Sequence, residues 1–326
     1  MTDRASPDAS VSRGARSRRN SFRRCIMRPH FFARLLLLGT ALIGVGTAGS
    51  AYAARAVSTK AGSTPEIGVA PGEDSTALRV CADPNYLPFS NKAGEGFENK
   101  IAEIVAKAMG RKLVYYWSSE RGPGGYPNFL ADALDVGNCD VVMSLPAGDP
   151  EEGGTDPYYE SAYVFISKKA DTRAQAVTAM SSPALRAMKI GVQDDTTPVS
   201  AIQMLGLVDN AVSFDVADDP NVSPRILLDA VKSGQVDIVV TWQPAIGAFL
   251  KDYPDLTIRE VPPEFYGPGL PQVTYAYKIA MGVRKKDTGL RDALNTVING
   301  HKQELSDALA SSGVRFYSGK GAIPYN

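Results

Sequence analysis

An acid, an amide and two aromatic rings, Asp83, Asn85, Tyr86 and Phe89, fall within seven residues of one loop marked by Pro84 and Pro88. A carboxylate and a carboxamide orient a polar ligand, and ring faces give it flat walls, so this set suits holding a molecule or a protein segment. A plainer description fits the same residues, because Asp83 and Asn85 around a proline form an Asx-type turn. Both readings stay open. Thr196, Thr197 and Pro198 are first a helix start, a threonine cap with proline at the first helical position. The free amides there could also meet a ligand. Trp242 stands at the end of an apolar run and serves either to pack lobes together or to wall a cleft.

The elements that must position these residues are readable. Leu78 to Val80 forms a short buried strand ahead of the loop. After it, Ile101, Ile104, Val105 and Ala108 recur at the spacing of one buried helical face, with Gly110 placed to stop the helix. Strand, polar loop and helix make half of a βαβ unit, and loops at the carboxyl ends of such strands are where ligands bind in open α/β sheets. The pattern then repeats. FLADALDVGNCDVVMS (Phe129 to Ser144) aligns without gaps on ILLDAVKSGQVDIVVT (Ile226 to Thr241), and LRVCADPN (Leu78 to Asn85) on MKIGVQDD (Met188 to Asp195). Ser144 is thereby the counterpart of Asp83 at the cleft end of its strand. Between the halves PYYESAYVFISKK (Pro157 to Lys169) alternates like an extended strand that carries the chain across, and TYAYKIAMGVRKK (Thr274 to Lys286) returns it. The fold class is α/β: two lobes joined by two crossing strands around a hinged cleft, whose usual motion is closure. The first lobe is expected over 78–168 and 276–317, the second over 169–275, and a C-terminal tail over 318–326.

The ends and the composition set limits. An arginine-rich start, an apolar run from Leu35 to Gly49, and Ala51 and Ala53 at the small positions of a cleavage site describe a secretory signal over 1–53. The run is short of the roughly twenty residues that span a bilayer, so no stable membrane insertion is expected. Met27 would open a compact signal by itself, and Ser17 to Phe22 approximates a twin-arginine signal with its spacing displaced; ordinary export is the favoured route. Residues 54–77 are small, polar and aperiodic, the composition of a disordered linker. The first 53 residues hold 9 of the 35 Lys and Arg but 2 of the 35 Asp and Glu, so the remainder carries a net charge of −7. That disfavours nucleic acid as a partner. Beyond the signal only Cys81 and Cys139 remain, with no CxxC spacing, and His301 is the single histidine. No metal, haem or other cofactor is indicated, and the acidic run with Asp149, Glu151, Glu152 and Asp156 lacks the ordered spacing of a calcium loop. The two cysteines pull in opposite directions. An even count in an oxidising compartment favours a disulfide. Taken as positions on straight neighbouring strands, however, they are staggered by three residues, about 10 Å at roughly 3.3 Å per residue, beyond the reach of a disulfide. Two buried thiols are expected.

The motifs RVCADPN, LPFSN, GEGFENKIAE, CDVVMS, PYYESAYVFISKK, KIGVQ and MGVRKKD together resemble the quinoprotein-dehydrogenase-associated periplasmic binding proteins, the MoxJ/XoxJ type, over about 78–317. The resemblance implies the type II periplasmic-binding-protein fold, a periplasmic location and association with a PQQ-dependent alcohol or methanol dehydrogenase. The wider superfamily includes amino-acid receptors, in which a fixed arginine takes the ligand carboxylate and an acid its ammonium. Glu152 falls where such receptors place that arginine, Trp242 where they place the acid, and Asp195, Thr196 and Thr197 replace their usual Gly-Thr-Thr. The cleft is not expected to suit a free amino acid. From the nearer relatives the chain departs in Trp117 to Asn128 and in Gly153 to Tyr159, so Tyr159 lies in a divergent stretch near the cleft mouth. Two other functions use this fold. A soluble receptor of an ABC transporter for a small non-amino-acid solute is the alternative, and a dehydratase or lyase is disfavoured because Glu152 and Asp194 have no partner base. No enzymatic activity is expected, and the protein should be a monomer. N-terminal sequencing of the exported protein is expected to begin near Ala54; an intact N-terminus in the membrane pellet would overturn the signal reading.

Overall fold

The computed structural model of the chain describes residues 76–269 and 272–319. The expected signal, the linker up to residue 75 and the tail beyond residue 319 lie outside the described residues. In the first lobe β1 (Ala77–Ala82) is followed by a small hairpin, β2 (Asn85–Tyr86) with β3 (Ser90–Asn91), then α1 (Phe97–Ala108) and β4 (Lys112–Trp117). All six residues of β1 pair in parallel with β4. Next come α2 (Gly125–Phe129), which runs into a π-helical segment over Leu130–Asp135, and then β5 (Val142–Pro146) and β6 (Gly153–Gly154). The buried residues of α1 are Phe97, Glu98, Asn99, Ile101, Ala102, Val105 and Ala106, turned from the expected stripe so that Ala108 is exposed. Gly110 does end the helix, with φ +64.

β7 (Tyr159–Lys168) crosses to the second lobe. There follow α3 (Thr172–Gln175), β8 (Ile190–Gln193), α4 (Thr197–Met204), β9 (Ala211–Phe214), α5 (Arg225–Ser233), β10 (Ile238–Trp242), α6 (Gln243–Ile246) and β11 (Leu256–Glu260). β12 (Ala276–Val283) returns, and α7 (Thr288–Gly300) and α8 (Lys302–Ser311) pack on α1 in the first lobe. Ala162 and Tyr163 mark the crossing. The first four residues of β7 pair with β12, whereas Tyr163–Ser167 pair with β10. Val164, Phe165 and Ile166 are all fully buried, because both faces of the sheet are covered here.

The repeated sequence is a repeated structure. β1 lies between β4 and the start of β5 in parallel, and β8 lies between β9 and β10 in parallel. The amides of Asp140 and Val141 both reach the Arg79 carbonyl, at 2.8 and 3.2 Å; those of Asp237 and Ile238 both reach the Lys189 carbonyl, at 2.9 and 3.3 Å. In each lobe the repeated aspartate opens its strand at the same kink. Asp140 pairs with Arg79 and Arg284, and Asp237 with Arg173 and the Lys189 amide.

That kink corrects the expectation for the cysteines. Cys139 is not in a strand but in the turn before it, where Gly137 has φ +83. The chain there does not advance by 3.3 Å per residue. Cys81 and Cys139 stand 5.4 Å apart between Cα atoms and form a disulfide, not two thiols. The bond closes a loop of 58 residues, for which loop entropy gives a stabilisation of about 4 kcal/mol at most. Peptide mapping after unfolding and alkylation without reductant is expected to find neither cysteine labelled, and reductant should lower the melting temperature. Labelling of both would restore the thiols.

Candidate functional site: the interlobe cleft

The loop after β1 is built around a buried charge. Asp83 is fully buried, and its carboxylate accepts from the Asn85 amide at 2.7 Å, the Ser119 hydroxyl at 3.0 Å and the Glu120 amide at 3.0 Å. The bond to Asn85 is the Asx turn. The loop also caps α1, since the amides of Phe97 and Glu98 donate to the carbonyls of Pro88 and Phe89. A Cβ on Gly96 would lie 2.0 Å from the Phe89 oxygen, so only glycine admits this closure. The helix start is therefore occupied by its own chain. Phe89 belongs to the core, whereas Tyr86 is half-buried and Asn85 exposed.

Arg121 completes the loop after β4. Its Nε lies 3.8 Å from the Asp83 carboxylate, and its guanidinium carbon stands 4.1 Å above the Tyr86 ring, a cation–π contact. The rest of the fork reaches the second lobe and the loop after β1. Nη1 donates to the Val222 carbonyl at 2.8 Å and Nη2 to the Pro220 carbonyl at 2.5 Å and the Asn85 carbonyl at 2.7 Å. Alongside, Asn85 Nδ2 donates to the Pro220 carbonyl at 3.2 Å, and the Gly122 amide to Ala217 at 2.9 Å.

Beside this bridge lies an interlobe cavity of about 530 Å³, walled by Tyr86, Glu120 and Tyr126 on one side and by Asp194, Asp195 and Asp218 on the other, with Arg121 at its edge. Deeper in the first lobe Glu98 is buried and accepts the Ser144 hydroxyl. The Ser144 carbonyl takes the Tyr126 hydroxyl at 2.6 Å. Burial first, and then the Asp83 charge, pushes the Glu98 carboxyl up to about 7 against the lowering effect of Ser144. The same burial, followed by Glu98 and Asp83, holds Glu120 well above the usual carboxylate range, with Arg121 opposing. Asp194 and Asp218 of the cavity wall, with Asp215, bring carboxylate oxygens within 4.8 Å of one another.

The residues singled out from the sequence fall into separate groups. Asp83, Asn85 and Tyr86 gather around Arg121. Ser144 stands beside Glu98, with Tyr159 buried nearby. Asp195, with φ +56, is on the cavity wall. Thr196 caps nothing with its side chain, which donates to the Gln193 carbonyl. Thr197 meets the Tyr277 hydroxyl at 2.8 Å, and Trp242 packs its ring against Tyr163 and Tyr277, so these two sit at the crossing strands. Glu152 is buried apart from the cavity; burial and then Asp135 raise its carboxyl to about 7. Glu98, Glu120, Arg121 and Tyr126 were not singled out. Glu98 carried a signal, an acid three residues before Ile101 on the buried face of α1.

No family model matches the chain. It is 30% identical over 272 residues to protein MoxJ of Methylorubrum extorquens, covering 80% of this chain and 88% of that one. The chain belongs to the MoxJ family. Two crystal structures match at 26% identity over 74% of this MoxJ-family chain and 100% of theirs: MxaJ from Methlophaga aminisulfidivorans MPT, with a TM-score of 0.66, and the periplasmic binding protein XoxJ from Methylobacterium extorquens AM1, at 0.58. Amino-acid-binding proteins at about 20% identity share the fold alone. The architecture is that of type II periplasmic binding proteins, the class to which XoxJ belongs by name. No described helix is long and apolar enough to cross a membrane.

Glu98 gives the family member a pH dependence with a definite sign. A carboxyl raised from 4.5 to about 7 on folding binds its proton more tightly in the native state. Stability therefore falls as pH rises from about 4.5 to about 7, by about 3 kcal/mol at most. Glu98→Gln keeps the hydrogen-bonding shape without the charge. Melting curves at pH 5 and pH 8 should differ less in that variant than in wild type; equal differences would remove Glu98 as the cause.

Proposed function

We propose that this chain is an exported periplasmic accessory protein that engages a quinoprotein dehydrogenase, a PQQ-dependent methanol or alcohol dehydrogenase, rather than a receptor for amino acids. Membership of the MoxJ family and the resemblance to quinoprotein-dehydrogenase-associated proteins support the partner. The observation that carries the case against an amino acid is Arg121. Among the described residues it is the only cation on the cavity wall, and its Nη donors are engaged by carbonyls of the chain itself. A free amino acid would find acids for its ammonium and, on the cavity wall, no unengaged guanidinium fork for its carboxylate.

Two measurements on one preparation test this reading. Thermal melts with each common amino acid are expected to show no shift, although a ligand at about 100 times its dissociation constant would add roughly 2.7 kcal/mol. Interferometry against the quinoprotein dehydrogenase encoded nearby is expected to show binding at roughly 10–100 μM or tighter. An amino-acid shift would overturn the assignment of the cleft. No dehydrogenase binding, together with binding of some other small solute, would replace the accessory role by a transport receptor.

A further inference from the structure

We infer that Arg121 is an internal latch, which holds the two lobes closed in the absence of any ligand. The repeat places its two halves opposite one another. The loop after β4 carries Arg121, and the loop after β9, residues 215–224, occupies the equivalent position in the second lobe. The tip of one donates to the tip of the other. Arg121 gives its fork to the carbonyls of Val222 and Pro220, with longer contacts to Val216 at 3.4 Å and Asp219 at 3.5 Å. Gly122 and Asn85 add the bonds to Ala217 and Pro220.

The latch is mounted rigidly on the first lobe. The Tyr86 ring lies under the guanidinium, the Asp83 carboxylate lies behind Nε, and Arg121 is 8% exposed. Asp83 is itself fixed by Ser119 and Glu120, the two residues before Arg121. On the other lobe the acceptors are backbone carbonyls, which need no particular side chain. A guanidinium spreads its donors in a plane and bridges several carbonyls at once; an ammonium on a flexible stem does not. This latch does not depend on which partner the protein meets.

Hydrogen exchange on the full exported chain, without added ligand, separates a latch from an ordinary buried arginine. Arg121→Lys keeps the charge, and Arg121→Gln keeps donors without it. In both, amides in 119–125 and 216–224 are expected to exchange about tenfold faster or more, since hydrogen bonds from a charged group are lost. Protection in β1 and β10 should stay at the wild-type level. Unchanged exchange in the two loops, or loops already unprotected in wild type, would overturn the latch. A simultaneous loss of protection in β1 and β10 would overturn it as well, because Arg121 would then be holding the core rather than the closure.

Discussion

A single carboxylate with no access to water sets the geometry of the cleft. An unpaired buried charge is costly, so its surroundings must supply donors. Asp83 takes them from the turn that follows it and from Ser119 and Glu120 at the end of the neighbouring strand. That requirement ties the loop after β1 to the loop after β4, and the next residue along, Arg121, is thereby aimed at the second lobe. Glu98 and Glu120 crowd the same region. Their raised affinity for protons follows from the same shortage of water, relieved only in part by Ser144 and Arg121.

The two lobes answer each other at atomic detail. A bifurcated carbonyl, Arg79 in one and Lys189 in the other, kinks the chain just after a glycine turn, and an aspartate at the kink holds a cation. The lobes diverge in how that kink is secured. In the first, Arg284 fills the space beneath it, donating to the carbonyls of Leu134 and Cys139, and a disulfide ties Cys139 to β1. In the second, Arg173 reaches Asp237 from the surface. The first lobe is the more tightly fastened, and it is the one on which the bridging arginine is mounted.

Much of this was legible in the sequence and some was not, for physical reasons. Periodicity and self-similarity are local or repetitive signals, so β1, α1, the paired strands β5 and β10, and the crossing strands could be read directly. The disulfide could not, because the glycine and aspartate that mark the kink do not give the shortened advance of the chain there. The loop from Asp83 to Phe89 was legible as a turn and as a candidate site, and the structure contains the turn. Arg121 lies in the divergent, glycine- and proline-rich stretch from Trp117 to Asn128, where residue type alone did not single it out. Its partners are main-chain carbonyls about a hundred residues away, and backbone acceptors have no signature in a sequence. Glu98 could have been found, since an acid in register with a buried stripe is an anomaly by itself.

In a solute receptor the ligand closes the lobes, because only the closed form offers both halves of the site, and the ligand shifts the equilibrium by its difference in affinity for the two forms. Here the contacts that join the lobes are made by the chain. A solute entering the cavity beside Arg121 would find closure already made and could add little by favouring it. To occupy the place of the guanidinium it would have to displace charged hydrogen bonds worth roughly 1.5–3 kcal/mol each, and it would leave Asp83 without its nearest cation. A protein partner meeting the outer surface faces neither cost. It would benefit from lobes that are already fixed, because a preorganised surface loses less freedom on association. On the proposed reading, a cleft closed from within suits a protein that presents a surface better than one that carries cargo.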